Sequence, residues 1–527
     1  MMARQSDSRR IRRLIDKSKR GIHTIIFSRL GLILLLLLLQ FLLLFSLFRW
    51  FASFIPHMFG SSMVFNLLMI IVLINSRTDP SAKLTWLIVI MVMPVFGSLL
   101  YLYTRSDLGH RALMRRVRHL TQKTRFDIRQ KPEAIEHLEQ MDPGAAAMCR
   151  YTARCGCHPL WENTEVTYFP SGEKKLEALL QVLEQANKFI FLEYFIIDEG
   201  TMWGQILDVL GEKVKEGVEV RVIIDGACEF MTLPHDYPER LSSLGIRCKM
   251  FAPAKPFVST HYNYRDHRKI AIVDGQYGFT GGVNLADEYI NERERFGHWK
   301  DTAIMLDGPA VRSLTLMFLQ MWGIDGDELN TARYIRQTAV RQNPGHGFVL
   351  PYGDSPLDDH QVGERVYLDM LYRAKKYVHI MTPYLILDSQ MENALKYAAE
   401  RGVDVHLILP GIPDKKYAWW LAHTYYPSLV EVGVKISEYQ PGFVHAKVFV
   451  IDDKEAVVGT INLDYRSLYH HFECAVWLYQ AGCISDIEQD FQNTLAKCTR
   501  MTQKRIEGFP WYQKIAGAAM KALAPLM

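Results

Sequence analysis

Hydrophobic positions follow two regimes along the chain. Before residue 105 they form three long stretches that carry little or no charge: Leu30 to Phe48, Met58 to Ile74 and Leu84 to Tyr103. Each approaches the roughly 17–25 residues a helix needs to cross a hydrocarbon layer of about 30 Å, which predicts N-terminal transmembrane helices and a membrane anchor over residues 1–105. Pro94 inside the third stretch is compatible with this, because helix breakers are commoner in membrane helices than in soluble ones. No small-residue cleavage site follows the first stretch, which argues against a signal peptide.

Beyond residue 160 the pattern changes to short β-branched runs alternating with amphipathic stretches, and it occurs twice. Leu192 to Asp198, a helical stretch, Gly217 to Asp225 and Lys269-Ile-Ala-Ile-Val-Asp274 have counterparts in Met381 to Asp388, a helical stretch, Gly402 to Leu409 and Lys447-Val-Phe-Val-Ile-Asp452. Asp301 to Leu306 likewise matches Glu473 to Leu478. Strand, helix, strand and strand in each copy imply an internal duplication of α/β type. The predicted organisation is an anchor over 1–105, a basic linker over 106–160, halves over 161–340 and 341–505, and an amphipathic tail over 506–527. Pro344-Gly-His-Gly347 falls at the connection between halves, as turn-rich composition suggests. The tail from Phe509 either lies on a membrane surface or packs on the preceding domain through Trp511.

The repeat carries chemistry. His267-Arg-Lys269 has Asp274 five residues on, His445-Ala-Lys447 has Asp452 five residues on, and Asn284 and Asn462 follow their histidines by the same interval, 267 to 284 and 445 to 462. In a strand alternate side chains share a face, so each His projects with its Lys. A neutral imidazole is a nucleophile or general acid–base near neutrality, and a neighbouring ammonium holds a phosphate oxygen as a point charge. Two such units facing one another would surround one phosphodiester. His267, Lys269, Asp274, His445, Lys447 and Asp452 are therefore the candidate catalytic residues, with the two aspartates read as supporting groups at their strand ends. Asn284 and Asn462 are candidate phosphate donors, and Asp301 and Glu473 are candidate acceptors for the far ring nitrogen of each histidine.

The formal net charge of +4 is too small to imply nucleic-acid binding, and a long basic run interleaved with aromatics is missing. Basic residues cluster instead over residues 4–20 and 105–125, flanking the apolar stretches. Basic flanks mark the cytoplasmic side, so both ends ask to be inside, which three spans cannot satisfy. Either one basic end lies outside, or one stretch is re-entrant or interfacial; a cytoplasm-facing catalytic region is the expectation. Eight cysteines show no regular disulfide spacing, and Cys155-Gly-Cys157-His158 lacks the second arm of a zinc site, so no metal is expected.

Arg265-Asp-His-Arg-Lys-Ile-Ala-Ile-Val-Asp-Gly275, Phe279-Thr-Gly-Gly-Val-Asn-Leu-Ala-Asp-Glu-Tyr289, His298-Trp-Lys-Asp301, Gly442-Phe-Val-His-Ala-Lys447 and Asn462-Leu-Asp-Tyr-Arg-Ser467 resemble the phospholipase D superfamily with its paired HKD motifs, and within it the bacterial cardiolipin synthases. The resemblance runs from about Asn66 onward. It implies two duplicated phospholipase D-type α/β sandwich domains with pseudo-two-fold symmetry, placed after the transmembrane helices. His471 departs from the asparagine common in relatives.

The resemblance further implies phosphatidyl transfer between two phosphatidylglycerol molecules in the bilayer, giving cardiolipin and glycerol through a phosphohistidine, without a cofactor. His267 is then the nucleophile and His445 the acid–base, and Glu193 a supporting residue. A membrane-bound phospholipase D hydrolase, a phosphatidylserine synthase and a non-catalytic lipid-binding scaffold remain as alternatives. The implied location is the cell membrane, as a multi-pass protein.

Overall fold

The computed structural model describes residues 59–526 apart from 77, 107, 157, 254–263, 327–328, 336–344 and 359, together with 42, 45 and 46. The stretch Leu30 to Phe48 lies outside the described residues but for those three positions. The chain divides into two compact units, one holding residues 114–253 and 264–518, the other drawn from residues 17–113 and 519–527.

In the second unit the helices are Phe59–Ile74, Pro80–Val92 and Pro94–Ser106. Asp79 caps the middle helix, its carboxylate accepting from the amides of Ser81 and Ala82 at 2.8 and 3.2 Å. The single span expected over 84–103 is two helices. Pro94 lacks an amide hydrogen and crowds the preceding residue, which leaves the helical region at φ −127°, ψ 75°. Among the described residues no helix is long and apolar enough to cross a membrane. Met69, Leu73, Ile90 and Tyr101 form a small core, whereas Met63, Leu67, Leu84, Met91 and Val92 are exposed.

The larger unit is built on two mixed sheets. The first half supplies β1 (Glu165–Phe169), β2 (Phe189–Tyr194), β3 (Glu219–Asp225), β4 (Arg247–Phe251), β5 (Arg265–Asp266), β6 (Lys269–Val273), β7 (Tyr277–Gly281), β8 (His298–Lys300) and β9 (Ala303–Asp307). The second supplies β10 (Phe348–Asp354), β11 (Tyr377–Met381), β12 (Asp404–Pro410), β13 (Lys435–Tyr439), β14 (Gly442–Val444), β15 (Val448–Ile451), β16 (Glu455–Gly459), β17 (His471–Tyr479) and β18 (Cys498–Arg500). One sheet runs β1-β9-β7-β6-β2-β3-β4 and the other β10-β17-β16-β15-β11-β12-β13-β18. Apart from β18 the two orders match strand for strand, as a duplicated sequence requires.

Strand alternation sorts the core. Ile190, Leu192 and Tyr194 join Leu179, Leu183 and Ile206 of the helices Gly172–Glu184 and Thr201–Lys215. Phe191 faces the other way and stacks on Phe318 of the helix Val311–Trp322, with ring centroids 4.6 Å apart. Glu193 shares that second face.

Two short parallel pairings join the halves. β5 pairs with the start of β17, setting Arg265 opposite His471 and Asp266 opposite Phe472. β14 pairs with β8, setting Phe443 opposite Trp299 and Val444 opposite Lys300. Each His-Lys segment thus enters beside the carboxylate-bearing segment of the other half.

The stretch 106–160, expected as a linker, carries the helices Leu108–Thr124, Pro132–Met141 and Pro143–Cys155. His158 anchors it to the second half, its Nε2 lying 3.1 Å from the Gly353 carbonyl. The tail forms the helix Trp511–Leu523, on which Trp511 is exposed rather than a core contact. The seven described cysteines are free thiols.

Candidate active site

Each histidine is placed by the opposite half. The His267 amide donates to Phe472 O at 2.9 Å and the His445 amide to Lys300 O at 2.7 Å. His267 Nδ1 then lies 2.9 Å from both Glu473 carboxylate oxygens, and His445 Nδ1 lies 2.7 Å from Asp301 Oδ2. A carboxylate accepts only, so in each neutral imidazole Nδ1 carries the proton and Nε2 keeps the free lone pair.

Position 282 explains one difference between the halves. A Cβ on Gly282 would sit 1.9 Å from Asp301 Oδ1, so this residue makes room for the carboxylate. Its counterpart Thr460 instead donates its hydroxyl to Glu473. Thr460 and Tyr289, which packs against His445 with ring centroids 5.5 Å apart, are site residues that the motif spacing did not single out.

The site is buried, and burial governs its charges. His267 and His445 are 6% and 8% exposed. Burial lowers His445 to about 4, with Lys447 and Lys269 adding and Asp301 opposing. Burial lowers His267 as well, with Lys269 and His471 adding and Glu473 opposing. Burial alone would raise the two carboxyls, but His267 and His471 hold Glu473 below the usual carboxylate range, and His445 and Lys447 do the same for Asp301. Lys269 is pulled down to about 8 and Lys447 to about 7 by burial. Lys269 acts electrostatically on both His445 and Lys447, so the two motifs share one field.

Each lysine donates to the backbone carbonyl of its own histidine, Lys269 Nζ to His267 O at 2.5 Å and Lys447 Nζ to His445 O. An ammonium has three donors, which leaves two for a phosphate. Asn284 is held from both sides: its Oδ1 accepts from the Ile196 amide at 3.0 Å and its Nδ2 donates to the Tyr289 hydroxyl at 2.7 Å. Asn462 is buried, and its Oδ1 has no hydrogen-bond partner among the described residues.

Three sequence candidates stand elsewhere. Asp274 and Asp452 follow strands β6 and β15, so Asp274 lies roughly 16 Å beyond Lys269 at about 3.3 Å per residue. Asp274 accepts from the amides of Asn187, Lys188 and Phe189 at 2.8, 2.8 and 2.9 Å. Asp452 does the same for Lys375, Lys376 and Tyr377 at 2.7, 2.7 and 3.0 Å. Both have positive φ, 54° and 55°, at which the short Asp side chain is tolerated. They fasten the loops that enter β2 and β11, in keeping with a supporting place at the strand ends and apart from the two histidines. Glu193 pairs with Arg268, Nε to Oε1 at 2.8 Å, instead of with a site histidine.

His267, His471 and Glu473 bring three possible metal-ligand atoms within 4.8 Å of one another. Glu473 is already engaged by His267 and Thr460, while His471 Nδ1 stands 3.5 Å from it.

The family model described as "Cardiolipin synthase, PLD-like domain" matches residues 179–322 and 367–495, and that of the "Phospholipase_D-nuclease N-terminal" region matches residues 64–105. An uncharacterized protein of Streptococcus mutans is 52% identical over 87% of this chain and 99% of its own length. Cardiolipin synthase 2 of Bacillus anthracis is 33% identical over 86% of this chain and 89% of its own. Among solved structures, phosphatidylserine synthase of Haemophilus influenzae superposes with a TM-score of 0.55 at 14% identity, over 73% of this chain and 98% of its own, a likeness of fold. The chain belongs to the bacterial cardiolipin synthase family of the phospholipase D superfamily, a family of phosphatidyltransferases.

Proposed function

We propose that the enzyme transfers a phosphatidyl group from one phosphatidylglycerol to another, forming cardiolipin and releasing glycerol. His267 Nε2 attacks phosphorus, a P–N bond forms, and the P–O bond to the glycerol headgroup breaks while protonated His445 gives its Nε2 proton to the departing oxygen. His445, now neutral, takes the proton of a hydroxyl on the second phosphatidylglycerol. That oxygen attacks phosphorus, the P–N bond breaks, and both histidines return to their starting states. Lys269, Lys447 and Asn462 offset the charge that develops on the non-bridging oxygens.

The crossed histidine–carboxylate pairs are the observation that carries this reading. They hold each Nδ1–H on a carboxylate, which leaves Nε2 of His267 free to attack phosphorus and Nε2 of His445 as the atom that gives and takes the proton. Burial supports transfer over hydrolysis, because a buried site limits the supply of competing water.

The reading places the helical unit in the membrane. Its exposed Met63, Leu67, Leu84, Met91 and Val92 are costly in water, and helices broken at Pro94 suit a segment that dips into the bilayer. The basic run over 105–125 supports a catalytic unit facing the cytoplasm at the cell membrane.

The test is a product assay in detergent with headgroup-labelled phosphatidylglycerol as the only lipid. Cardiolipin with an equal amount of free glycerol is the expected result. Phosphatidic acid as the sole lipid product would assign a hydrolase, and no turnover would reject phosphatidylglycerol as donor.

A further inference from the structure

The ring that flanks each catalytic histidine differs between the two halves. Two residues before the orienting carboxylate stands Trp299 in the first half and His471 in the second. The strand pairings make them equivalent: Trp299 lies opposite Phe443, two residues before His445, and His471 lies opposite Arg265, two before His267. Their distances to the catalytic rings also match, 5.4 Å between the centroids of Trp299 and His445 and 5.3 Å between those of His471 and His267. An indole therefore flanks one catalytic histidine and an imidazole flanks the other.

His471 is 7% exposed, yet neither ring nitrogen has a hydrogen-bond partner among the described residues. Its Nδ1 is 3.5 Å from Glu473 Oε1, the same oxygen that lies 2.9 Å from His267 Nδ1. A buried imidazole in this state carries a desolvation cost unless something else is gained from it. It is short of a full bond to Glu473, and it is close enough to act on it.

We infer that His471 is a positioning residue that breaks the symmetry of the site, sharing Glu473 with His267 and so keeping the His267 ring neutral and available as the nucleophile. Trp299 carries no titratable group and places no second imidazole beside His445. The groups acting on the pair are Glu473, Lys269, Arg466 and Asp464, and of the two site histidines His471 bears on His267. Its removal relieves a repulsion felt by protonated His267. The inference rests on the assignment of His267 as nucleophile made under Proposed function.

The test is the pH dependence of kcat/KM for glycerol release from phosphatidylglycerol, a step common to transfer and hydrolysis and so independent of the acceptor. His471→Asn is expected to move the acid limb to higher pH by about half a unit or more, while Trp299→Phe leaves its position unchanged. His471→Gln serves as the second variant, with thermal unfolding measured for each. An unmoved acid limb in both His471 variants, with lower rates at every pH, would mean a packing role and overturn the inference; equal shifts from Trp299→Phe would overturn it as well. Failure of the parent protein to release glycerol would reject the donor assignment first, and this inference with it.

Discussion

His267 in the first half takes its orientation from Glu473 in the second, 206 residues away in sequence, with Nδ1 2.9 Å from both carboxylate oxygens. The reciprocal contact joins His445 to Asp301. Neither half holds a complete site. Glu473→Gln keeps the shape but offers an amide where an acceptor is needed, so His267 loses its tautomer. The expected result is a kcat for glycerol release lower by roughly 10²–10⁴, with thermal unfolding little changed. Asp301→Asn should fall in the same range through His445.

Asp274→Ala separates structure from chemistry. Three backbone amides lose their acceptor, at a cost of about 1–3 kcal/mol. A calorimetric scan should show a clearly lower Tm, whereas kcat per folded molecule should stay near that of the parent. Loss of kcat with an unchanged Tm would return Asp274 to the catalytic set.

Gly282→Ala tests the room made for Asp301. The added carbon would lie 1.9 Å from Oδ1, so the carboxylate must move and His445 with it. A displacement of about 1 Å at a reacting group is worth on the order of 10² in rate, and kcat should fall by that much. Thr460→Ala in the other half removes a donor to Glu473 and the acceptor of the Cys474 amide but pushes nothing aside, and should cost less.

The pH profile should be displaced from that of free histidine. The nucleophile His267 must be neutral to attack, and burial lowers it below the value of free histidine, so the acid limb of kcat/KM should lie below pH 6.5. Lys447 at about 7 and Lys269 at about 8 place the alkaline limb between those values, where the phosphate-binding charges are lost. The stability sign follows from the depressed histidines. Between pH 6.5 and 4 the unfolded chain binds protons that folded His445 and His158, both at about 4, refuse. Stability is therefore kept above pH 6.5 and declines as pH falls toward 4, which urea unfolding at stepped pH would show.

Much of this was legible in the chain because duplication makes a pattern visible. The matched His, Lys and Asn spacings pointed to the paired motifs, and the apolar runs to β6 and β15. The crossing of the carboxylates was not legible: Asp301 and Glu473 read as equivalents, and only the pairings of β5 with β17 and β8 with β14 decide which histidine each one meets. Asp274 and Asp452 read as supporting groups at their strand ends, but spacing gave no sign of the backbone amides they bind. Over 84–103 hydropathy gives one continuous stretch in which Pro94 is tolerable, whereas the chain forms two helices that meet there.

The central claim is a covalent phosphatidyl-enzyme formed on one histidine of a pair oriented across the two halves. It is tested most directly by mixing the parent protein with phosphorus-labelled phosphatidylglycerol, quenching early in turnover in neutral detergent and mapping the label by peptide mass spectrometry. The account predicts label on the peptide containing His267, labile to acid as a P–N bond is, and none in His267→Asn. Label on His445 in the His267→Asn protein, or steady glycerol release with no labelled histidine, would contradict it.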